Sequence, residues 1–79
     1  MRIQVLGPGC RACREAERII REAITERKAD VHFERIDDLQ EIARFGILTT
    51  PTVLVDGVVK CVGKVPRKKE VWGWLTAAS

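Results

Sequence analysis

The sequence predicts an α/β fold in which a mixed four-stranded sheet carries helices on both faces, in the order βαβαββα. Two observations support this. Short apolar runs alternate with longer helical patterns, as in strands that are connected through helices. The pair Asp56-Gly57 separates two further β-branched runs and predicts a hairpin. At 79 residues, the chain is expected to form one domain, residues 1–79.

The first strand is predicted at residues 2–6, where a near-continuous apolar run is typical of a strand in the centre of a sheet. A helix follows from residue 11 to about residue 28. Its apolar residues recur at spacings of three and four and form one stripe, opposite a charged face. The stripe consists of Ala12, Ala16, Ile19, Ile20, Ala23 and Ile24.

The second strand is predicted at residues 31–35, where Val31 and Phe33 alternate with polar residues. One buried face suits a strand at or near the edge of the sheet. His32, the only histidine, falls on the polar side of this alternation and has no sequence link to the cysteines. We therefore interpret it as a surface residue.

The second helix is predicted to begin at Asp37, because Asp37 and Gln40 match the capping-box pattern. Gly46 suits its C-terminal cap. The apolar residues that this helix carries are Leu39, Ile42 and Ala43.

The hairpin strands are predicted at residues 53–55 and 58–62. Pro51 lies at the entrance of the first of them, since proline donates no hydrogen bond to a sheet. Cys61, in the second, is interpreted as a small buried apolar residue. The final helix is predicted from about residue 67 to residue 77, and Pro66 suits its start.

Two cysteines, Cys10 and Cys13, lie three apart between the first strand and the first helix. The sulfur of Cys10 is predicted at the helix N-terminus, where unpaired N–H groups and the macrodipole favour an anion such as a thiolate. Cys13 lies one turn along on the same side. The spacing alone leaves redox chemistry, metal binding and core packing open, and the strand-to-helix setting favours redox chemistry.

Composition and charge bear on which kinds of partner the chain can bind. The net charge is +3 and most basic residues interleave with acidic ones, so nucleic-acid binding has little support. No apolar run approaches the roughly 20 residues that cross a membrane, and no leader pattern is seen, so a cytoplasmic location is expected. A basic cluster near the C-terminus suits a solubilising surface better than steering of an acidic partner. This cluster is Lys60, Lys64, Arg67, Lys68 and Lys69.

With these elements in order, the chain resembles the smallest thioredoxin-fold proteins, the glutaredoxin-sized redox-active disulfide proteins of archaea and bacteria. The resemblance covers nearly the whole length. It rests on Gly9-Cys10-Arg11-Ala12-Cys13, on residues 45–52 and on the hairpin turn. Residues 45–52 are similar to the family's aromatic-Gly-Ile-x-x-x-Pro-Thr signature.

The resemblance implies a thiol–disulfide oxidoreductase that reduces or exchanges protein disulfides, with Cys10 as the attacking thiolate and Cys13 as the resolving thiol. It implies that Pro51 is a cis-proline facing the two sulfurs, and that the backbone of Thr50 pairs with an extended substrate segment. The Cys10–Cys13 disulfide would need no further cofactor and no metal. The expected partners are protein disulfides and an unidentified dithiol reductase, with the chain acting as a monomer.

Arg11 and Arg14 flank the cysteines. Arg11, together with the helix N-terminus, is expected to lower the pKa of Cys10 below about 8.5, towards the range of about 3.5–7.5 found at such sites. For both arginines, a side chain that simply points into water is an equally good interpretation.

Two other functions stay open at this stage. A soft-metal carrier of the copper-chaperone type also places C-x-x-C between a first strand and a first helix. Its element order is βαββαβ, however, and it has no proline facing the site. A degenerate fold used only as a binding module is the other alternative, and the intact cysteine pair argues against it.

Overall fold

The computed structural model describes residues 1–46 and 49–77, and its element order confirms the predicted βαβαββα arrangement. The elements in chain order are β1 Arg2–Leu6, α1 Arg11–Arg27, β2 His32–Ile36, α2 Leu39–Arg44, β3 Thr52–Val55, β4 Val58–Val62 and α3 Lys68–Ala77. None of the helices in the described part of the chain combines the length and the apolar character needed to cross a bilayer.

The strands of the described residues form one sheet in the order β2-β1-β3-β4. β1 is parallel to β2 and antiparallel to β3, while β3 and β4 form the hairpin. The hairpin turn has positive φ at both Asp56 (50°) and Gly57 (83°), as a two-residue type I′ turn requires. β1 is therefore central, and β2 is an edge strand, as the sequence predicted.

Helices cover both faces of the sheet, which explains why β1 and β3 are buried almost throughout. α1 and α3 pack on one face around Ile3, Val5, Ala16, Ile20, Ala23, Val53, Val55, Cys61 and Val71. α2 belongs to the smaller cluster of Leu6, Ile36, Ile42 and Leu54. Burial on both faces thus fixes the register of β1 against its neighbours β2 and β3. β1 ends at Leu6, and the cysteine motif follows directly.

The start of α2 differs from the prediction. The N-cap is Asp38, whose side chain accepts the Gln40 N–H at 2.8 Å, while the Asp37 carboxylate pairs with Arg35 at 3.3 Å. β2 also ends one residue later than predicted, at Ile36, and moves the helix start with it. Gly46 is confirmed in the C-terminal cap, with φ 75° and its N–H donated to Ala43.

The buried face of α2 is narrow. The helix is six residues long, and only Ile42 is buried. Leu39 is 67% exposed, and Ala43 is also exposed. A helix of fewer than two turns presents one side chain to the sheet in each turn, and here that position falls on Ile42.

Lys68 joins the first turn of α3 to α1. Its Nζ lies 3.0 Å from carboxylate oxygens of both Glu22 and Glu26. The hydrogen bond from Lys68 lowers the pKa of Glu22, and the bond to Glu22 raises the pKa of Lys68. Within the basic cluster, Lys68 is therefore a structural residue that holds two helices together.

We expect Lys68→Met to lower the melting temperature slightly at pH 7 and to have no effect near pH 3. The pKa of Glu22 is depressed in the folded state, so its contribution is present above the unfolded pKa of about 4.3 and is lost as pH falls through the folded value. The control is Lys69→Met, because Lys69 is exposed and has no carboxylate partner among residues 1–46 and 49–77. Equal melting curves for both variants at pH 7 would contradict the assignment.

Candidate active site

Cys10 and Cys13 form a disulfide at the start of α1, with their Cα atoms 5.0 Å apart. Cys10 is the N-cap residue, and its Sγ accepts the backbone N–H of Cys13 at 3.2 Å. Cys10 is exposed, whereas Cys13 is only 4% exposed. One sulfur of the pair is thus open to a partner molecule, and the other is sheltered behind it.

The approach to Cys10 depends on a glycine at position 9. Gly9 has φ +89°, a backbone conformation that residues with a Cβ rarely adopt. This turn lets the chain leave β1 and enter α1 with Cys10 in the extended conformation of an N-cap, φ −65° and ψ 167°. The sequence motif therefore places the sulfur on the unpaired N–H groups of the first helical turn.

Gly7 makes room for the sheltered sulfur. A Cβ built on Gly7 would overlap Cys13 Sγ and would lie 3.8 Å from Thr50 Cβ. Gly7 is itself buried, and its N–H donates to the Ile36 carbonyl at 2.9 Å, so the backbone there is fixed. Cys13 and Thr50 consequently flank the same glycine.

The peptide bond between Thr50 and Pro51 is cis, as the resemblance implied. Two contacts fix this loop. The hydroxyl of Thr52, a fully buried residue, donates to the Thr49 carbonyl at 2.6 Å. On the other side, the Gly63 N–H donates to the Pro51 carbonyl at 2.8 Å.

The cis-proline loop lies at the same end of the sheet as the disulfide. β1 and β3 pair antiparallel with Leu6 opposite Thr52, so the register continued by one residue sets Gly7 opposite Pro51. None of the hydrogen bonds between described residues uses the Thr50 N–H or carbonyl. The structure therefore brings together the four residues that the sequence singled out, which are Cys10, Cys13, Thr50 and Pro51.

The charges around Cys10 are positive. The first turn of α1 contains no acidic residue. The Arg14 Nε donates to the Gly9 carbonyl at 3.1 Å, so this guanidinium stays beside the cysteine motif, while the Arg11 side chain is exposed. Glu15 is bonded to Arg18, whose hydrogen bond lowers the pKa of Glu15. These surroundings favour a thiolate on Cys10.

A family model described as a thioredoxin domain matches residues 1–76. The chain belongs to the thioredoxin-domain family. It is 38% identical over 71 residues to a thioredoxin of Methanothermobacter thermautotrophicus, a match that covers 90% of this chain and 92% of that protein. It is 30% identical over 69 residues to a thioredoxin of Methanocaldococcus jannaschii, covering 87% of this chain and 79% of that protein.

A thioredoxin domain with a cysteine pair at this position is a thiol–disulfide oxidoreductase. The element order supports this class over the soft-metal carrier, because the strands and helices follow βαβαββα rather than βαββαβ. Within residues 1–46 and 49–77, no group of three or more His, Cys, Asp and Glu side chains is arranged to hold a metal ion.

Two residues that invite a catalytic role lie outside the thioredoxin site. His32 is exposed and begins β2, opposite Arg2, at the other end of the sheet from Cys10. Cys61 is buried, its Sγ donates to the Lys64 carbonyl at 3.2 Å, and burial raises the pKa of its thiol. Both sequence interpretations, a surface histidine and a small buried cysteine, are confirmed.

Sequence reasoning missed the residues that support the site. The close approach of Gly7 to Cys13 joins positions on either side of the turn, and the spacing of the cysteines does not encode it. The role of Thr52 in fixing the loop was also missed, although the Pro-Thr pair of the family signature was the available signal. Gly63 carried no sequence signal beyond a predicted turn.

We expect Gly7→Ala to destabilise the oxidised thioredoxin domain by about 1–3 kcal/mol, the usual effect of an added methyl group in a tightly packed place. The destabilisation should be smaller in the reduced protein, where the Cys13 thiol is free to turn away. Thermal unfolding with and without dithiothreitol measures both values. The control is Gly73→Ala, which has open space around its Cβ and should stabilise α3 by up to about 1 kcal/mol. Unchanged unfolding of Gly7→Ala would show that Gly7 does not confine Cys13.

Proposed function

We propose that Cys10 is the nucleophile and Cys13 the resolving thiol of this thioredoxin domain, acting on protein disulfides. The observation that carries the proposal is the difference between the two sulfurs. Cys10 is exposed and caps α1, where the Cys13 N–H stabilises negative charge on its sulfur. Cys13 is 4% exposed and is bonded to Cys10.

The cycle transfers two electrons. The Cys10 thiolate attacks one sulfur of the substrate disulfide, forming a mixed disulfide and releasing the other substrate sulfur as a thiolate. Cys13 then loses its proton to that departing thiolate and attacks the Cys10 sulfur. The Cys10–Cys13 disulfide forms, and the second substrate sulfur leaves as a thiolate that takes its proton from water. The substrate is reduced to a dithiol, and the domain is oxidised by the same two electrons.

The substrate segment is proposed to lie along the cis-proline loop. The Thr50 backbone makes no hydrogen bond to the described residues and is open to an extended chain, as at the edge of a sheet. Pro51 contributes no N–H, and its carbonyl is held by Gly63. A substrate strand paired with Thr50 would bring its disulfide in front of Cys10.

The recharging partner, in this proposal, is a dithiol reductase that returns Cys10–Cys13 to two thiols. No cofactor is required, because both electrons reside on the two sulfurs during the cycle. The monomeric state and the cytoplasmic location stay predictions from the sequence.

Trapping experiments test the assignment of roles. In Cys13→Ser, the first step proceeds and the second does not, so a disulfide-linked complex between Cys10 and a partner protein should accumulate. In Cys10→Ser, no complex should form. Both variants are made with Cys61→Ala, so that no buried thiol contributes. Non-reducing electrophoresis with mass spectrometry of the linked peptides identifies the cysteine involved.

Two outcomes count against the proposal. Trapping only by Cys10→Ser would reverse the two roles. The exchange cycle itself is wrong if neither variant traps a partner and if the wild-type protein, with both cysteines, does not reduce insulin disulfides with dithiothreitol as electron donor.

A further inference from the structure

The disulfide has a basic flank, which consists of the exposed side chains of Arg11, Arg14 and Lys64. Arg11 and Arg14 lie in the first turn of α1, directly after Cys10. Lys64 follows Gly63, whose N–H holds the Pro51 carbonyl. The flank therefore borders both parts of the proposed substrate path, the nucleophile and the cis-proline loop.

None of these three cations has a carboxylate partner among the described residues. Elsewhere on the surface, some cations form ion pairs, while others such as Arg44, Lys60 and Lys69 have no carboxylate partner among the described residues. The ion pairs join Arg18, Arg21, Arg35 and Lys68 to acidic residues of α1 and to Asp37, which precedes α2. Arg14 is held beside the cysteines by its bond to the Gly9 carbonyl, and Arg11 lies within electrostatic range of Glu15. All three cations are exposed at the site and can be approached by a partner molecule.

Two acidic residues near this end of the sheet are already engaged. Asp37 pairs with Arg35, and Asp38 caps α2. Both follow β2, which lies on the far side of β1 from β3 and β4. The β4 side of the disulfide, where Lys64 lies, is consequently positive.

An open hollow of about 420 Å³ lies on the same side, lined by Arg11, Ala12, Glu15 and Val65. Its apolar lining comes from Ala12 and Val65, while Arg11 and the neighbouring Lys64 supply positive charge. Glu15 is the one acid in the lining, and its carboxylate is bonded to Arg18. The hollow suits a side chain with a short apolar stem and a negative end.

We propose that the basic flank selects protein disulfides whose cysteine is bordered by aspartate or glutamate. The inference rests on the proposed function, since it concerns the partner that meets Cys10. Charges of opposite sign around a binding site speed encounter and set the orientation of the partner, and they do so less at high salt. Of the basic cluster seen in the sequence, Lys64 thus belongs to the site, and Lys68 to the fold.

The test uses two peptides with the same intramolecular disulfide, one with Asp and Glu beside a cysteine and the other with Lys at the same positions. For the wild-type protein, we expect kcat/KM for the acidic peptide to exceed that for the basic peptide by about tenfold at low ionic strength, the lower end of the range for electrostatic steering. The preference should shrink towards unity at about 1 M salt, where the screening length is about 3 Å.

Charge reversal on the flank should invert this preference. Lys64→Glu should reduce it severalfold, and the Arg11→Glu, Lys64→Glu double variant should favour the basic peptide. The matched control is Lys28→Glu, which reverses an exposed charge at the other end of α1, about 25 Å from Arg11 by the helical rise. Because Arg11 is the neighbour of Cys10 in sequence, alkylation by neutral iodoacetamide is measured for each variant and used to normalise its rates for any change in thiol reactivity.

Three results would overturn the inference and leave the proposed function intact. These are equal rates for the two wild-type peptides, a preference that high salt does not change, and a shift in Lys28→Glu as large as that in Lys64→Glu. Failure of the wild-type protein to reduce either peptide would instead contradict the exchange cycle.

Discussion

The hydrogen bond from the Cys13 N–H to the Cys10 sulfur is the interaction on which this thioredoxin domain depends. It exists because Cys10 occupies the N-cap of α1, where a serine or aspartate commonly satisfies the same N–H group. A sulfur in that place gains the first-turn N–H groups and the positive end of the helix dipole when it carries a charge. The proposed nucleophile thus uses the N–H groups that a capping residue ordinarily satisfies at the start of a helix.

The sheet aligns the cis-proline loop with the cysteine motif. Because β1 and β3 pair antiparallel and are buried on both sides, Gly7 at the end of one strand meets Pro51 at the start of the other. Gly7 brings Cys13 and Thr50 to the same small space. Thr52 then fixes the loop from within the core. Local motif and long-range register are both needed to bring the cysteine pair and the cis-proline loop to the same end of the sheet.

The sequence predicted the element order, the hairpin turn and the N-terminal position of Cys10, because each depends on local chemistry. The cis bond at Pro51 came from the family resemblance, since cis is the minor state for X–Pro bonds in general. The capping-box pattern predicted Asp37 as the N-cap of α2, but the observed N-cap is Asp38. The reason is that β2 extends to Ile36, which pairs with Leu6, and this long-range pairing moves the helix start by one residue. Likewise, the Gly7–Cys13 contact and the Arg14 bond to Gly9 depend on tertiary packing, which spacing alone does not encode.

The pH dependence of Cys10 alkylation in the reduced protein tests the central claim most directly. Iodoacetamide labelling followed by peptide mass spectrometry gives the rate at each cysteine. The account predicts that Cys10 is labelled first and that its rate rises with a midpoint below about 8.5, in the range of about 3.5–7.5 for thiols at helix N-termini. A midpoint at or above about 8.5, or faster labelling of Cys13, would contradict it.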